Sequence, residues 1–392
     1  MTKRVFSRVD GSNSPGMCRL LYVVGQLHTG GLERQLYYLL RSMDRVRYSP
    51  AVAVWHYDEG AVHLPLIRAL GVPLYSISND SSRVSKVRAF RRLVRQLQPE
   101  VVHSCDFHTN VAASWAVLGT RAVAVGSIRS GFEWAKRETG PLLGRLSARW
   151  PSYQICNSYS AAASARTSQS FFVPRRCDVV SNGVDLEAFG RCPAVKATPA
   201  RIVGLGYLLP VKRWDRLLRA ARELTRRGLD HKIEIFGGGP LRHVLERQAQ
   251  ELEVSDRVRL LDHTDDVRKV LADSSFLVHT SESEGCPNAV MEAMACGRAV
   301  VATDVGDIPS LVEDGTTGFV VRSGDQSMLV ERMARLISDG KLCGRMGEAA
   351  RQKAEREFGL NRVVQQTLTA YRRAGWKEQR SRTSGVEAYL ED

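Results

Sequence analysis

The chain has no paired cysteines, no apolar run long enough to cross a membrane and no internal repeat. Its eight cysteines stand singly from Cys18 to Cys343, without a CxxC spacing or a Cys/His cluster. That scatter argues against a disulfide framework or a zinc site. No apolar stretch reaches the roughly 18 residues of a spanning helix, and the N-terminus lacks the apolar centre of a signal peptide. No self-similarity with a period of roughly 20 to 50 residues is present, which excludes solenoids and propellers. These absences predict a soluble, cytoplasmic protein, with peripheral attachment at the inner face of the membrane as an open alternative.

What is present suits a compact α/β protein. With 392 residues and 43% apolar content, the chain can build two domains, each with its own core. The net charge of +14 is uneven: residues 1–190 hold 24 Lys and Arg against 13 Asp and Glu, and the remainder 32 against 29. The first half therefore suits an acidic partner, either an anionic membrane or a phosphorylated acceptor. Nucleic acid ranks last, because no zinc finger or RNA-recognition motif accompanies the charge.

Short apolar runs alternate with helical stretches along most of the chain. RLLYVVG at 19–25, AVAVW, VPLYSI, EVVHS, RAVAVGSI and SYQIC read as strands of one parallel sheet. RIVGLGY at 201–207, KIEIFG, RVRLL, SFLVHT and AVVATD repeat the scheme. The reading is a flexible tail at 1–16, a first Rossmann-like domain at 17–189, a linker at 190–200, a second such domain at 201–358, and a C-terminal helix and tail at 359–392. Helical stretches from 326 to 375 outlast the second sheet, so the last of them is expected to cross back to the first domain. In doubly wound sheets ligands bind at the carboxyl ends of the strands, which places the expected site in a cleft between the domains.

The segment HTSESEGCPNAVMEAMACG, residues 279–297, carries the most chemistry. A strand ends near His279 and a helix begins near Pro287, where proline suits the first turn. Unpaired N–H groups from Cys286 to Ala289 would attract phosphate. Glu284 and Glu292 flank seven residues, a spacing that suits one carboxylate on a sugar and one on a ribose. Taken singly, Glu284 reads better as a helix cap and Glu292 as a surface residue.

The whole string resembles the retaining nucleotide-sugar transferases of glycosyltransferase family 4, or group 1. GGLERQL at 30–36 is similar to that family's first glycine loop, with Gly30 and Gly31 letting backbone approach the donor. VVHSCDFHTN at 101–110 is similar to its histidine-bearing strand end, and VVSNGVDLEAF at 179–189 to the end of its first domain. VKRWDRLL supplies Lys212 at the phosphate-binding lysine, and FGGGPLR, with Gly238, matches the second glycine turn. Three places depart from the pattern. Tyr207 stands where an arginine is usual, which implies either slower transfer or substitution by Arg213 or another basic group; Cys105 replaces one histidine of an HxH pair, with His108 retained; Ser310 stands where many members carry Glu.

The resemblance implies two Rossmann-like doubly wound domains of the glycosyltransferase B type. It also implies a retaining hexosyl transfer from a UDP- or GDP-linked sugar to a glycan or lipid-linked acceptor. Glu284, Lys212, His103 and His108 are the catalytic candidates; Gly30, Gly31, Tyr207, Arg213, Gly238, Gly285, Cys286, Pro287, Asn288 and Glu292 are the donor-binding ones. His103 reads equally well as a core histidine. No metal or cofactor is expected. An epimerase of the same fold and an inactive nucleotide-sugar-binding module are the rival readings. On the helical stretch 83–97, Val87, Phe90, Leu93, Val94 and Leu97 fall within roughly 120°, and Arg88, Arg91, Arg92 and Arg95 within roughly 100°. The arginine face reads as solvated, with docking on anionic membrane as the alternative.

Overall fold

A computed structural model describes residues 17–28, 30–77, 82–193 and 198–378. The expected tail at 1–16 and residues 194–197 of the expected linker lie outside the described residues. The chain forms two units, one of residues 1–181 and 361–392, the other of residues 182–360.

Unit 1 holds a seven-stranded parallel sheet of β1 (Cys18–Val24), β2 (Tyr48–Val54), β3 (Leu74–Ser76), β4 (Val101–Ser104), β5 (Val123–Ile128), β6 (Tyr153–Cys156) and β7 (Cys177–Val179). Their spatial order is β3-β2-β1-β4-β5-β6-β7. The strand β1 is apolar nearly throughout because both of its faces are covered. Leu20, Tyr22 and Val24 face one core and Leu21 and Val23 the other. Helix Arg83–Leu97 covers the second face with Phe90, Leu93 and Val94. Burying Phe90 alone stabilises the unit by about 1.5 to 3 kcal/mol. The first face receives Leu368 and Tyr371 of helix Leu360–Arg373. The last helix thus belongs to unit 1, as its position beyond the second sheet led us to expect.

Unit 2 holds β8 (Ala200–Leu205), β9 (His231–Phe236), β10 (Val258–Leu261), β11 (Phe276–His279), β12 (Ala299–Thr303) and β13 (Gly318–Val321). All are parallel, in the order β10-β9-β8-β11-β12-β13. In both sheets the order reverses beside the first strand, between β1 and β4 and between β8 and β11. Loops leave those neighbouring strands toward opposite sides, opening a crevice at their carboxyl ends.

Three features go beyond the sequence reading. The strand β7 has only three half-buried residues with Asp178 in the middle, so it carries no apolar run. The strand β13 begins at Gly318, where a Cβ would stand 2.1 Å from the Val300 carbonyl oxygen. Residues 182–189, assigned above to the first domain, pack with unit 2. Val184 N–H donates to Phe358 O across 2.8 Å, and Phe189 is buried in that unit's core. A tail of buried apolar and hydrogen-bonding side chains therefore shifts the division ahead of the polar stretch that marked it in the sequence.

Candidate functional site

The turn after β8 and the loop after β11 meet at the switch point of unit 2. Thr280 Oγ1 donates to Lys212 O across 2.9 Å, and Glu282 N–H donates to Val211 O across 2.8 Å. So fastened, the short helical turn Pro210–Lys212 places Lys212 Nζ 2.6 Å from Glu284 Oε1. Ser281 Oγ and His279 Nε2 reach the same oxygen at 2.6 and 2.9 Å. Burial alone would raise the Glu284 carboxyl; the His279 and Lys212 charges and hydrogen bonds outweigh it and hold the group well below the usual carboxylate range. The site therefore presents a fixed anion and a cation within contact of each other. His279 is buried, and its Nδ1 has no partner among the described residues. Its sequence signal was only its place at the head of the HTSESEG string.

Glycines hold these loops together where side chains would not fit. A Cβ at Gly237 would lie 2.0 Å from Gly206 O, and one at Gly306 would lie 2.4 Å from Glu284 O. Gly306 also has φ +58°, and Asp307 N–H behind it donates to Gly285 O across 2.9 Å. The glycine turn after β9 is thereby pressed on the turn after β8, with Gly238 O accepting from Leu208 N–H at 2.8 Å. Gly206, Gly237, His279, Ser281 and Gly306 complete a set of which the sequence singles out Lys212, Gly238, Glu284 and Gly285.

Helix Asn288–Ala295 follows directly, with Pro287 at its N-cap and no side chain capping it. Asn182 Nδ2 ties this start down, donating to Cys286 O at 3.0 Å and to Asn288 Oδ1 at 2.9 Å. Cys286 contributes backbone here, since its thiol is buried 3.4 Å from Met291 Sδ and burial pushes it up to about 12. Glu292 is buried on the second turn of the helix.

Two expected residues have other work. Arg213 sits in the left-handed region at φ +51°, its guanidinium bound to Asp215 at 3.0 and 3.1 Å and to Glu282 at 3.3 Å. Its guanidinium is engaged by these carboxylates. Tyr207 is 44% exposed, and its carbonyl accepts from Trp214 Nε1 at 3.0 Å. His103 is a core histidine rather than a group facing substrate: Nδ1 meets Tyr371 Oη at 2.8 Å and Nε2 meets Ser127 Oγ at 3.0 Å. Burial, helped by the Arg129 charge, pushes its imidazole down to about 3.

In unit 1 His108 remains exposed at the carboxyl ends of the strands. It lies against Gly25, where a Cβ would come within 2.9 Å of its ring, and Gly25 N–H donates to Asp106 Oδ2 at 2.6 Å. Gly30 is the extended N-cap of helix Gly31–Arg41. The Glu33 carboxylate folds back over it, so that a Cβ on Gly30 would strike Oε2. Burial foremost, with the neighbouring Asp106 charge, pushes the Glu33 carboxyl up to about 7. On helix Arg83–Leu97, Arg88, Arg92 and Arg95 are exposed as expected. Arg91 is not part of that free face: it donates to Trp115 O at 2.6 Å and Leu118 O at 3.0 Å and lies 4.6 Å from the Trp115 ring centroid. Among the described residues no helix is long and apolar enough to cross a membrane.

Residues 193–353 match the family of glycosyl transferases group 1, and residues 29–188 match glycosyltransferase family 4. The chain is 32% identical over 170 residues to N-acetyl-alpha-D-glucosaminyl L-malate synthase of Bacillus anthracis, covering 43% of this chain and 44% of that protein. It is 32% identical over 222 residues to D-inositol 3-phosphate glycosyltransferase of Kribbella flavida, covering 51% of this chain and 52% of that one. These matches span about half the length of the curated relatives. The crystal structure of Anabaena HepE in complex with UDP superposes with a TM-score of 0.75 at 19% identity, over 91% of this chain and all of the other. Sucrose-phosphate synthase of Thermosynechococcus elongatus does so with a TM-score of 0.76 at 16% identity, over 91% and 98%. With two Rossmann-like parallel-sheet units, and with those two families matching its two halves, the chain belongs to the family 4, group 1 glycosyltransferases of the two-domain B type.

Proposed function

We propose that the protein is a retaining glycosyltransferase that moves a sugar from a UDP- or GDP-linked donor to a glycan or lipid-linked acceptor. The observation that carries this reading is the contact of Lys212 with Glu284 at the switch point of unit 2. A diphosphate at the start of helix Asn288–Ala295 would take the Lys212 ammonium, freeing Glu284 to accept from sugar hydroxyls. Glu292 would hold the ribose. As the bond from sugar carbon to phosphate oxygen breaks, Lys212 and the helix N–H groups stabilise the negative charge growing on the leaving diphosphate. The acceptor oxygen bonds to the same face of the sugar, and its proton passes to the departing phosphate oxygen. No metal ion is needed in this scheme.

The relatives support a nucleotide-sugar donor. One, from Mycolicibacterium smegmatis, is a GDP-mannose-dependent mannosyltransferase, 32% identical over 196 residues. The basic first half of the chain favours an anionic acceptor carried by unit 1 near His108, of the kind used in cell-envelope polysaccharide or glycolipid synthesis. Thermal unfolding with UDP- and GDP-sugars, with and without EDTA, tests the donor. A ligand at about a hundred times its dissociation constant adds about 2.7 kcal/mol, and no response to any nucleotide diphosphate sugar would overturn the reading. The anomeric coupling in the NMR spectrum of the product tests retention, and an inverted anomer would overturn it.

A further inference from the structure

Unit 1 leaves a group of large apolar side chains in water outside the residues described above. Phe171 is 95% exposed, Leu142 67%, Trp134 56% and Phe172 38%. Single exposed apolar residues are ordinary, but a cluster marks an interaction surface. These four come from helix Phe132–Thr139, helix Pro141–Arg149 and the segment 168–176, which are joined to one another. Ser168 Oγ donates to Glu133 Oε1, beside Trp134. The Arg145 guanidinium stands 5.6 Å from the Phe172 ring centroid, and Leu142, three residues before it, shares its helix face.

The charge around the cluster is predominantly positive. From Phe132 to Arg176 there are seven Lys and Arg and only two carboxylates, Glu133 and Glu138. Glu133 is already engaged by Ser168 and by Lys136 at 3.3 Å. Arg137, Arg145, Arg175 and Arg176 are exposed. Aromatic and leucine side chains ringed by arginines fit the boundary between headgroups and acyl chains of an acidic leaflet, where rings and leucine enter and guanidinium groups meet phosphate. A surface that is anionic everywhere matches this predominantly basic belt better than the mixed charges of a protein partner. The arginine face of helix Arg83–Leu97 lacks such a companion: Arg91 is taken up internally, and Val84 is the one large apolar side chain exposed on that helix.

We propose that unit 1 docks on an anionic lipid bilayer through Trp134, Leu142, Phe171 and Phe172 and the arginines around them. Sedimentation of the full chain with phosphatidylglycerol/phosphatidylcholine vesicles, against pure phosphatidylcholine, is the test. Wild type binds the acidic vesicles and is released by about 0.5 M salt. Phe171→Ser with Phe172→Ser lowers partitioning about tenfold or more, whereas Arg88→Gln with Arg92→Gln and Arg95→Gln lowers it far less. Both aromatics are exposed, so the double variant keeps the wild-type unfolding midpoint. As a second measurement, bromine-labelled acidic lipid quenches wild-type tryptophan emission more than that of Trp134→Phe. Wild type that ignores acidic vesicles, that binds neutral ones equally well, or that is unaffected by the double substitution would overturn the proposal, as would equal quenching. Vesicle binding needs neither donor nor acceptor, so its failure leaves the transfer reading standing, and failure of donor binding leaves this one.

Discussion

Lys212 Nζ lies 2.6 Å from Glu284 Oε1, and it is the cation that the turn after β8 brings to the carboxylate after β11. Arg213, next to it, is held by Asp215 and Glu282. Lys212→Ala is therefore expected to lower the single-turnover transfer rate roughly 100 to 1000 fold, about 3 to 4 kcal/mol, the effect of losing one preorganised charge contact. Tyr207→Arg is expected to raise the rate, because Tyr207 is half exposed and an arginine there would add a cation for the leaving diphosphate. Near-normal rates in Lys212→Ala would mean that the donor phosphate binds elsewhere. Abolished activity in Tyr207→Arg would give the tyrosine a role of its own.

The same carboxylate makes stability depend on pH. Its folded pKa is depressed, so ionised Glu284 stabilises the fold above its unfolded value near 4.5, and that contribution is lost as pH falls toward the folded pKa. Glu284→Gln is expected to be less stable than wild type by a constant margin from pH 8 to about 5.5 and by a shrinking margin below about 4.5. Urea unfolding at a series of pH values measures this margin. A margin that grows on acidification would show that His279 and Lys212 do not hold the carboxylate.

Arg91 offers a local check on helix Arg83–Leu97. Its guanidinium satisfies two carbonyls at the end of helix Asn110–Ala116 and stacks on Trp115, whereas Arg88, Arg92 and Arg95 point to water. Arg91→Ala is expected to cost about 1 to 2 kcal/mol of stability, and each of the other three less than about 0.5 kcal/mol. Denaturant midpoints would settle it, and four equal effects would restore the picture of one uniform arginine face.

That helix shows what patterning can and cannot tell. Its apolar stripe of Phe90, Leu93 and Val94 follows from a 3.6-residue period and is legible, as are the strands with continuous apolar runs, whereas Lys86 and Ala89 are buried on the same helix without such a signal. Arg91 and Arg88 look alike in one dimension, because what separates them is a pair of carbonyls more than twenty residues away. The failures at the site have the same origin. Glu284 and Lys212 could be placed by their motifs, but the commitment of Arg213 to Asp215, the burial of His103 against Tyr371 from the far end of the chain and the convergence of His279 on Glu284 depend on tertiary contacts. Gly237 and Gly306 carried a signal in principle, since only glycine tolerates such close backbone approach.

Glu33 titrates in the opposite sense from Glu284. It lies in the first turn of helix Gly31–Arg41, where the helix end favours an anion, yet burial outweighs this and, with the Asp106 charge, raises its carboxyl to about 7 despite its own N–H and Arg129. Between the unfolded value near 4.5 and about 7 the folded protein holds a proton that the unfolded chain has released. Stability from this group is therefore complete below about 4.5, declines as pH rises, and is gone above about 7. Glu33→Gln keeps the shape and the hydrogen-bonding oxygen without the proton to lose. Its stability relative to wild type is expected to rise from pH 4.5 to 7 and to stay level beyond about pH 8. Thermal unfolding of both proteins across that range is the measurement. A difference that does not change with pH would mean that Glu33 ionises normally and that the carboxylate over Gly30 is solvated, leaving the turn open to a ligand without any cost of displacing a buried acid.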